Sequence, residues 1–235
     1  MPVLPFPPGR TSSSPSPGRG EVPGVSGTSG VGGGGVLWRA RTGCVEVVLV
    51  RHRTTGRWEL PKGKSEAGEA PPDTARREVA EEAGLDCRLV EPLGEVHFRH
   101  DDRWRAVRYW LMEPVDADPE PNPQEGTEIA EARWSEIGGA HPPSCQPHDA
   151  LVLTRVAEVL ARRGIALPSA PVPAGDGWRI VRDVGPGSRW VAESEAGEVV
   201  ARLAPDDVSP GSECATVVAQ SGGWVAGTAA GEVCS

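Results

Sequence analysis

The sequence has few of the features that mark secreted or membrane-spanning proteins. Its five cysteines lie far apart, with no C-x-x-C pair and no histidine at zinc-finger spacing, which favours a reducing compartment. No apolar run approaches the roughly 20 residues of a membrane-spanning helix, and Pro, Ser and Gly stand near Met1 where a secretory signal would be apolar. We therefore expect a cytoplasmic protein with no membrane partner.

Basic residues are too few for a general role in binding polyanions. Arg and Lys number 24 against 33 Asp and Glu, so the 235-residue chain carries a formal charge of −9. Phosphate backbones and anionic lipids are repelled by such a charge, which argues against a nucleic-acid polymer as partner and leaves room only for a locally basic pocket. With 38% hydrophobic residues, the chain can bury one ordinary core and a small second one.

Composition divides the chain into four zones. Residues 1–35 are rich in Pro, Ser and Gly, so we expect them to be disordered or to precede the true translation start. Residues 36–167 alternate strand-like runs with two helical stretches, the second near 148–163, which indicates one α/β or α+β domain. A linker dense in Pro, Ala and Gly is predicted at 168–177, followed by a small β-rich appendage at 178–235.

The appendage contains a near-repeat. The segment WVAESEAGEVV from Trp190 recurs as WVAGTAAGEVC from Trp224, with seven of eleven positions identical. A Gly-containing loop between short apolar runs predicts a hairpin in each copy. Two copies fall short of the three or so that a stable array needs. Coincidence in an Ala-, Gly- and Val-rich segment is the alternative, and the role and partner of the appendage stay open.

The first helix is predicted near Pro72–Ala83, because prolines suit a first turn and Gly84 suits a helix end. Its Glu78, Glu81 and Glu82 stand at i, i+3 and i+4, so the three carboxylates share one face and disfavour each other's ionisation. No basic residue at helical spacing relieves that repulsion. A divalent cation with a preference for oxygen ligands, Mg²⁺ or Mn²⁺, is therefore predicted there, and a solvated acidic surface is the ordinary alternative.

The residues around this glutamate face form a longer pattern. They read G-x5-E-x7-R-E-U-x-E-E-x-G-U, where U is aliphatic, filled by Gly63, Glu69, Arg77, Glu78, Val79, Glu81, Glu82, Gly84 and Leu85. All nine positions match the Nudix box, so the chain resembles the Nudix hydrolase family, over the box itself and more loosely over 36–163. A chance match in a chain of this length is about one in a million or rarer.

The resemblance implies a Nudix-type α/β/α sandwich around a mixed sheet. It also implies hydrolysis of a phosphoanhydride bond in a nucleoside diphosphate linked to a further group, with Mg²⁺ or Mn²⁺ as cofactor. The implied metal ligands are Glu78, Glu81 and Glu82. Glu69 and Arg77 would form an ion pair that holds the loop to the helix, with Arg77 directed away from the ligand face. Gly63 would allow a close backbone approach to the metal, and Gly84 completes the box.

Basic and aromatic residues flank the box and predict substrate contacts. The segment LPKGK resembles a loop of Nudix enzymes that act on polyphosphates, and its lysines would meet phosphate oxygens as point charges. Downstream, HFRHDDRWRAVRYWLM interleaves arginines with aromatics, as a pocket that stacks a base and neutralises phosphate requires. The predicted substrate-binding residues are Arg51, Arg53, Lys62, Lys64 and Tyr109. A solvated cation or a core aromatic is the alternative for each.

Hydrolysis also needs a general base for the attacking water. In some family members it comes from the loop before the final strand, which here is NPQEGTEIAEARW. Glu125 is the first candidate, Glu128 the second and Glu131 a weaker third. A box glutamate such as Glu81 is the alternative.

These features predict a Mg²⁺-dependent Nudix pyrophosphohydrolase. Its substrate would be a small molecule, a nucleoside triphosphate (an oxidised one included) or a dinucleoside polyphosphate, with diphosphoinositol polyphosphates as a further option. The alternative is a non-catalytic Nudix-like sensor that binds a nucleotide and signals through the appendage. Removal of residues 168–235 would separate the two, since an enzyme would keep its rate whereas a sensor would lose its output.

Overall fold

The computed structural model describes residues 31–100, 103–137, 146–165, 167, 174–175, 177–183, 189–204, 216–220 and 223–227. The helices are α1 (Pro71–Glu82) and α2 (Pro147–Arg162). The strands are β1 (Gly32–Arg41), β2 (Cys44–His52), β3 (Trp58–Glu59), β4 (Lys62–Gly63), β5 (Cys87–His100), β6 (Arg103–Pro114), β7 (Ile129–Glu136), β8 (Ala174–Gly175), β9 (Trp178–Asp183), β10 (Arg189–Ser194), β11 (Val199–Ala204), β12 (Thr216–Gln220) and β13 (Gly223–Gly227). No helix in these residues is long and apolar enough to cross a membrane.

The strands form a mixed sheet between the two helices. Its order is β3-β2-β1-β6-β5-β11-β10-β9-β8, with β7 paired to β2 and β4 paired to β1. Strands β1 and β6 run parallel, and the other pairs are antiparallel. Both predicted helices are present, and the predicted mixed-sheet fold with helices on its two faces is confirmed.

Side-chain alternation on β6 separates the two cores. Val107, Tyr109 and Leu111 face the cluster that α2 covers. Trp110 and Met112 face the cluster that α1 covers. Successive strand residues point to opposite faces, so this one strand contributes to both helix–sheet interfaces.

The prediction that residues 1–35 are disordered is wrong for residues 32–35, which begin β1 beneath α1. A Cβ at Gly33 would lie 2.3 Å from the Pro71 carbonyl oxygen, and one at Gly34 would lie 2.5 Å from the Tyr109 ring. Glycines in this strand let neighbouring backbone and side chains approach more closely than a side chain would allow. Residues 1–30 lie outside the described residues.

Strands from the predicted appendage extend the main sheet. Strand β11 pairs antiparallel with β5, with Ala201 opposite Phe98 and Leu203 opposite Val96. Ala201 and Leu203 are fully buried in the cluster that α2 covers. Two residues of the predicted linker, Ala174–Gly175, form β8. The sheet therefore continues past the boundary that composition suggested.

The two near-repeats differ in their pairing. In the first copy, β10 and β11 form the predicted hairpin around a turn in which Gly197 has φ of 79°. In the second copy, Trp224 lies in β13, which pairs with the preceding strand β12. Residues 228–235 lie outside the described residues, so the hairpin predicted within the second copy is not described.

Candidate metal and catalytic site

Helix α1 carries the glutamate face. Pro71 and Pro72 occupy its first turn, where a missing N–H costs no intrahelical hydrogen bond. Ala75 and Val79 are fully buried and fix the helix to the sheet. This packing turns Glu78 and Glu82 toward the loop that contains β4, and Glu78 is itself buried, whereas the Glu81 side chain is 40% exposed.

Strand β4 lies directly against this face. The Lys62 backbone N–H donates to Glu82 Oε2 at 3.0 Å. A Cβ at Gly63 would lie 1.9 Å from Glu78 Oε1, so no larger residue fits without displacing that carboxylate. Gly63 therefore lies against one of the three glutamates and its neighbour Lys62 against another.

Arg77 contacts the box loop and the glutamate face together. Its guanidinium donates to both carboxylate oxygens of Glu69, at 2.9 and 3.0 Å, and to the Lys64 carbonyl at 3.0 Å. Its Nη1 also lies 2.9 Å from Glu78 Oε1 and 3.3 Å from Glu81 Oε2. The expectation that Arg77 points away from this face, and that nothing basic relieves it, is wrong. A planar guanidinium has donors enough for several carboxylates.

Charge on the glutamate face is only partly compensated. Burial, with Glu78 and Glu59 nearby, raises the pKa of Glu82 to about 8, against the opposing effect of Lys62. Burial also raises the pKa of Glu78 despite Arg77. By contrast, the Arg77 hydrogen bonds lower the pKa of Glu69 to about 2. The face therefore holds crowded oxygen donors that a positive charge would ionise, a donor set that fits Mg²⁺ or Mn²⁺.

The lysines of the LPKGK loop point in different directions. Lys64 is exposed. The Lys62 side chain is 14% exposed, and its ammonium pairs with Glu59. Burial alone would lower the pKa of Lys62, but Asp149, Glu59 and Glu82 around it hold that pKa above its usual value. Lys64 is thus available to a ligand from solvent, whereas Lys62 already neutralises buried carboxylates.

Two arginines predicted to bind substrate lie at the end of β2. Arg51 pairs with Glu131 at 2.9 Å and lies over the Trp58 ring, 5.8 Å from its centre. Arg53 is exposed, and its Nε donates to the Thr127 carbonyl at 3.3 Å. Arg53 thus contacts the loop that leads into β7 and Arg51 contacts β7 itself, the two parts of the segment with the candidate bases.

Tyr109 belongs to a buried polar cluster that the sequence did not indicate. Its hydroxyl is fully buried and has no hydrogen-bond partner among the described residues. Glu59, His148 and Asp149 offer ligand atoms within 4.8 Å of one another in the same interior. His148 and Asp149 open α2 and follow no recognisable motif, so only the folded chain reveals them. Their position next to Lys62 connects α2 to the loop that lies on the glutamate face.

Two candidate general bases, Glu125 and Glu128, lie on the loop between β6 and β7, and the third, Glu131, lies in β7. Glu125 and Glu128 are exposed. Glu131 is already paired with Arg51. The Gln124 backbone N–H donates to the Glu81 carbonyl at 3.0 Å, which places Glu125 next to the last turn of α1. The fold thus brings the predicted base loop to the predicted metal ligands.

Comparison with known proteins agrees with this arrangement. The family model described as NUDIX domain matches residues 30–155, more than half of the chain. The chain is similar to an 8-oxo-(d)GTP phosphatase of Mycolicibacterium smegmatis, with 33% identity over 131 residues that cover 52% of this chain and 39% of the relative. It is also similar to an asymmetrical bis(5'-nucleosyl)-tetraphosphatase of Sus scrofa, with 39% identity over 67 residues that cover 27% of this chain and 46% of the relative.

Solved structures support the same fold. An Ap4A hydrolase of C. elegans superposes with a TM-score of 0.50 and 24% identity, covering 56% of this chain and 97% of that chain. The chain spans less than half of the length of the two curated relatives it matches. The complete box, the sheet with a helix on each face and the family match together show that the chain belongs to the Nudix family.

Proposed function

We propose that the protein hydrolyses a phosphoanhydride bond of a nucleoside triphosphate or dinucleoside polyphosphate, with Mg²⁺ or Mn²⁺ as cofactor. One observation carries the proposal: Glu78 lies against Gly63, Glu82 accepts from the Lys62 N–H, and Arg77 contacts both Glu78 and Glu81. An intact face of this kind favours a hydrolase over a sensor, which needs no catalytic ligands. The cytoplasmic location expected from cysteine usage remains part of this proposal.

Each group has a defined task in the proposed reaction. A divalent ion held by Glu78, Glu81 and Glu82 would stabilise charge on the phosphoryl oxygens and acidify a bound water. Glu125 would accept the proton of the attacking water, with Glu128 as the second candidate. Exposed Lys64 would contact phosphate oxygens. Arg51, Arg53, Lys62 and Tyr109 remain proposed substrate contacts, although Lys62 and Tyr109 face the interior and would act only after a rearrangement.

The names of the relatives support a nucleotide as substrate. One acts on 8-oxo-(d)GTP and another on a bis(5'-nucleosyl) tetraphosphate, as their names state. Both compounds contain a chain of phosphoanhydrides, the chemistry that the glutamate face serves. We therefore propose 8-oxo-dGTP as the first substrate to test and Ap4A as the second.

A substrate panel tests the proposed activity. Release of phosphate or pyrophosphate would be measured from dGTP, 8-oxo-dGTP and Ap4A, each with Mg²⁺, with Mn²⁺ and with EDTA. We expect metal-dependent release from at least one nucleotide and none in EDTA. A purified, folded chain that binds Mn²⁺ yet hydrolyses none of the three would contradict the proposed substrates.

Glu82→Gln tests the metal assignment. The amide cannot supply a charged ligand, so we expect kcat to fall by at least about 100-fold and Mn²⁺ binding, measured by titration calorimetry, to weaken. Glu81→Gln should behave in the same way. Glu66→Gln is the matched control, because Glu66 is an exposed glutamate of the box loop away from this face. Unchanged Mn²⁺ affinity in Glu82→Gln would refute the assignment.

A further inference from the structure

The loop between β6 and β7 is fastened to the last turn of α1 by three hydrogen bonds. The Asn122 N–H donates to the Ala83 carbonyl at 2.8 Å, and the Gln124 N–H donates to the Glu81 carbonyl at 3.0 Å. The Gln124 side chain adds a third bond, from Nε2 to the Ala80 carbonyl at 3.1 Å. The last carbonyls of a helix have no intrahelical partner, so the loop satisfies those of Glu81 and Ala83. The Ala80 carbonyl also accepts from the Gly84 N–H at 3.1 Å.

Gly84 allows this loop to approach the end of α1 closely. Its φ is 68°, and a Cβ there would lie 1.8 Å from the Asn122 carbonyl oxygen. The left-handed conformation and the close contact both require glycine. The final glycine of the box therefore ends the helix and also admits the loop that contains the candidate bases.

Hydrogen bonds, more than side-chain packing, hold the loop at this point. A cavity of about 460 Å³, lined in part by Ala80, Asp86, Gln124 and Glu125, lies between the loop and the end of α1. Gln124 is exposed, so its side chain adds little buried apolar surface. Its amide is the one side chain of the segment 122–125 for which a hydrogen bond to α1 is seen among the described residues.

The two ends of the loop are fixed to the sheet. Trp134 Nε1 donates to the Pro119 carbonyl at 2.8 Å. The Arg53 N–H donates to the Glu128 carbonyl at 2.9 Å. With both ends held, the remaining freedom lies in the middle of the loop, which is where Glu125 stands. Besides the backbone bonds of Asn122 and Gln124, the Gln124 side chain holds the residue that precedes Glu125 to α1.

We propose that Gln124 is a positioning residue that fixes Glu125 relative to Glu81 and Glu82. The inference rests on the proposed function, in which Glu125 accepts a proton from the attacking water. A misplacement of about 1 Å in a catalytic group can cost about 100-fold in rate. Loss of one of several hydrogen bonds loosens the loop without displacing it entirely, so a smaller effect is expected.

Gln124→Met tests the proposal, because it keeps the length of the side chain and removes the donor. We expect kcat for 8-oxo-dGTP with saturating Mn²⁺ to fall about 5- to 10-fold, while KM, Mn²⁺ affinity and Tm stay within error. A double variant then combines Gln124→Met with Glu125→Gln, and its rate is compared with that of Glu125→Gln alone. If Gln124 acts through Glu125, the double variant has the rate of Glu125→Gln alone, whereas a purely structural role would lower both rates by the same factor.

Three results would overturn the proposal. A wild-type kcat in Gln124→Met shows that the bond does not matter. An equal fall in both backgrounds shows that it acts elsewhere, and a wild-type rate in Glu125→Gln leaves no base for Gln124 to position. Failure of the proposed function is distinguishable, because the wild-type chain would then hydrolyse no nucleotide at all.

Discussion

At the scale of single residues, the buried Asp149 links α2 to the box loop. Burial raises the pKa of this carboxyl to about 7, while Lys62 and the Leu60 N–H oppose the rise. Both carboxylate oxygens of Asp149 are buried, and neither meets the distance and angle criteria of a hydrogen bond with any described residue. Beside it, burial followed by the charge of Lys62 holds the pKa of His148 well below its usual value, so that ring stays neutral. This neutral ring stacks on Phe98 with centroids 3.9 Å apart.

Asp149 should make the stability of the protein depend on pH. An unfolded Asp loses its proton near pH 4, whereas folded Asp149 keeps it to about pH 7, so the folded state binds more protons between these values. The free energy of unfolding should fall as pH rises through this window, by at most about 1.4 kcal/mol per pH unit. Asp149→Asn removes this contribution. Urea denaturation at pH 5, 6, 7 and 8 should show a flatter profile for the variant, and parallel profiles would contradict the shift.

Gly84→Ala should destabilise the protein more than an ordinary change at a left-handed glycine. The left-handed conformation alone costs an alanine about 1–2 kcal/mol, and contact with the Asn122 oxygen adds to that cost. Gly68→Ala is the matched control, because Gly68 has φ of 83° and open space around its Cβ position. Urea denaturation of both variants isolates the contact. Equal losses would show that the loop moves aside freely.

The sequence predicts these residues unevenly. The box positions are local, so their spacing alone brings Glu78 and Glu82 to one helix face. The direction of a side chain is decided by its tertiary partners. Lys62 turns inward because Glu59 and Asp149 lie beneath it, and Asp149 is distant in sequence. Arg77 stands four residues before Glu81, a spacing at which helix side chains meet, so this ion pair was open to prediction from the sequence. The additional contact with Glu78 arises because a long guanidinium spans several partners at once.

At the scale of elements, α2 is joined to the extended sheet by a buried polar contact. Arg155 and Glu158 of α2 form an ion pair of 3.0 Å with side chains at most 9% exposed. Trp190 of β10 donates its indole N–H to Glu158 Oε1 at 2.8 Å. A buried carboxylate is costly without hydrogen bonds. Strand β10 therefore stabilises the ion pair on α2 by supplying a hydrogen-bond donor to Glu158.

Trp190→Phe should therefore destabilise the protein by about 1–3 kcal/mol, because a buried acceptor loses its donor. Trp178→Phe is the control, since Trp178 packs partly buried against the same hydrophobic cluster from the adjacent strand β9. Urea denaturation with both variants measures the difference. If the Trp178 variant loses as much stability as the Trp190 variant, side-chain volume and not the hydrogen bond is responsible.

Strand β1 shows why composition misplaced one element. A run of glycines resembles a linker, because glycine is costly to order and adds no apolar side chain. In the fold, α1 and Tyr109 press so closely on Gly33 and Gly34 that only glycine fits. That requirement comes from residues such as Pro71 and Tyr109, which are distant in the sequence and belong to no local pattern.

At the scale of the whole molecule, the C-terminal strands complete the hydrophobic core. Val191, Ala192, Ala201 and Leu203 are at most 3% exposed. All but Val191 belong to the cluster that contains the buried face of α2. Strands β12 and β13, in contrast, pair only with each other among the described residues. Within the predicted appendage, β9–β11 therefore belong to the main sheet, whereas β12 and β13 form a separate two-stranded sheet.

Two truncations should therefore behave differently. A chain that ends at Leu167 loses β8–β11 and exposes β5 and α2, so it should lose its cooperative unfolding transition and its hydrolytic rate together. A chain that ends at Ala204 keeps those strands and should retain the Tm and kcat of the full chain. Differential scanning calorimetry and nucleotide hydrolysis measure both. Because loss of the sheet would silence an enzyme and a sensor alike, only the cut at Ala204 distinguishes them. A hydrolase keeps its rate after that cut, and a full rate in the chain ending at Leu167 would show that the core does not need these strands.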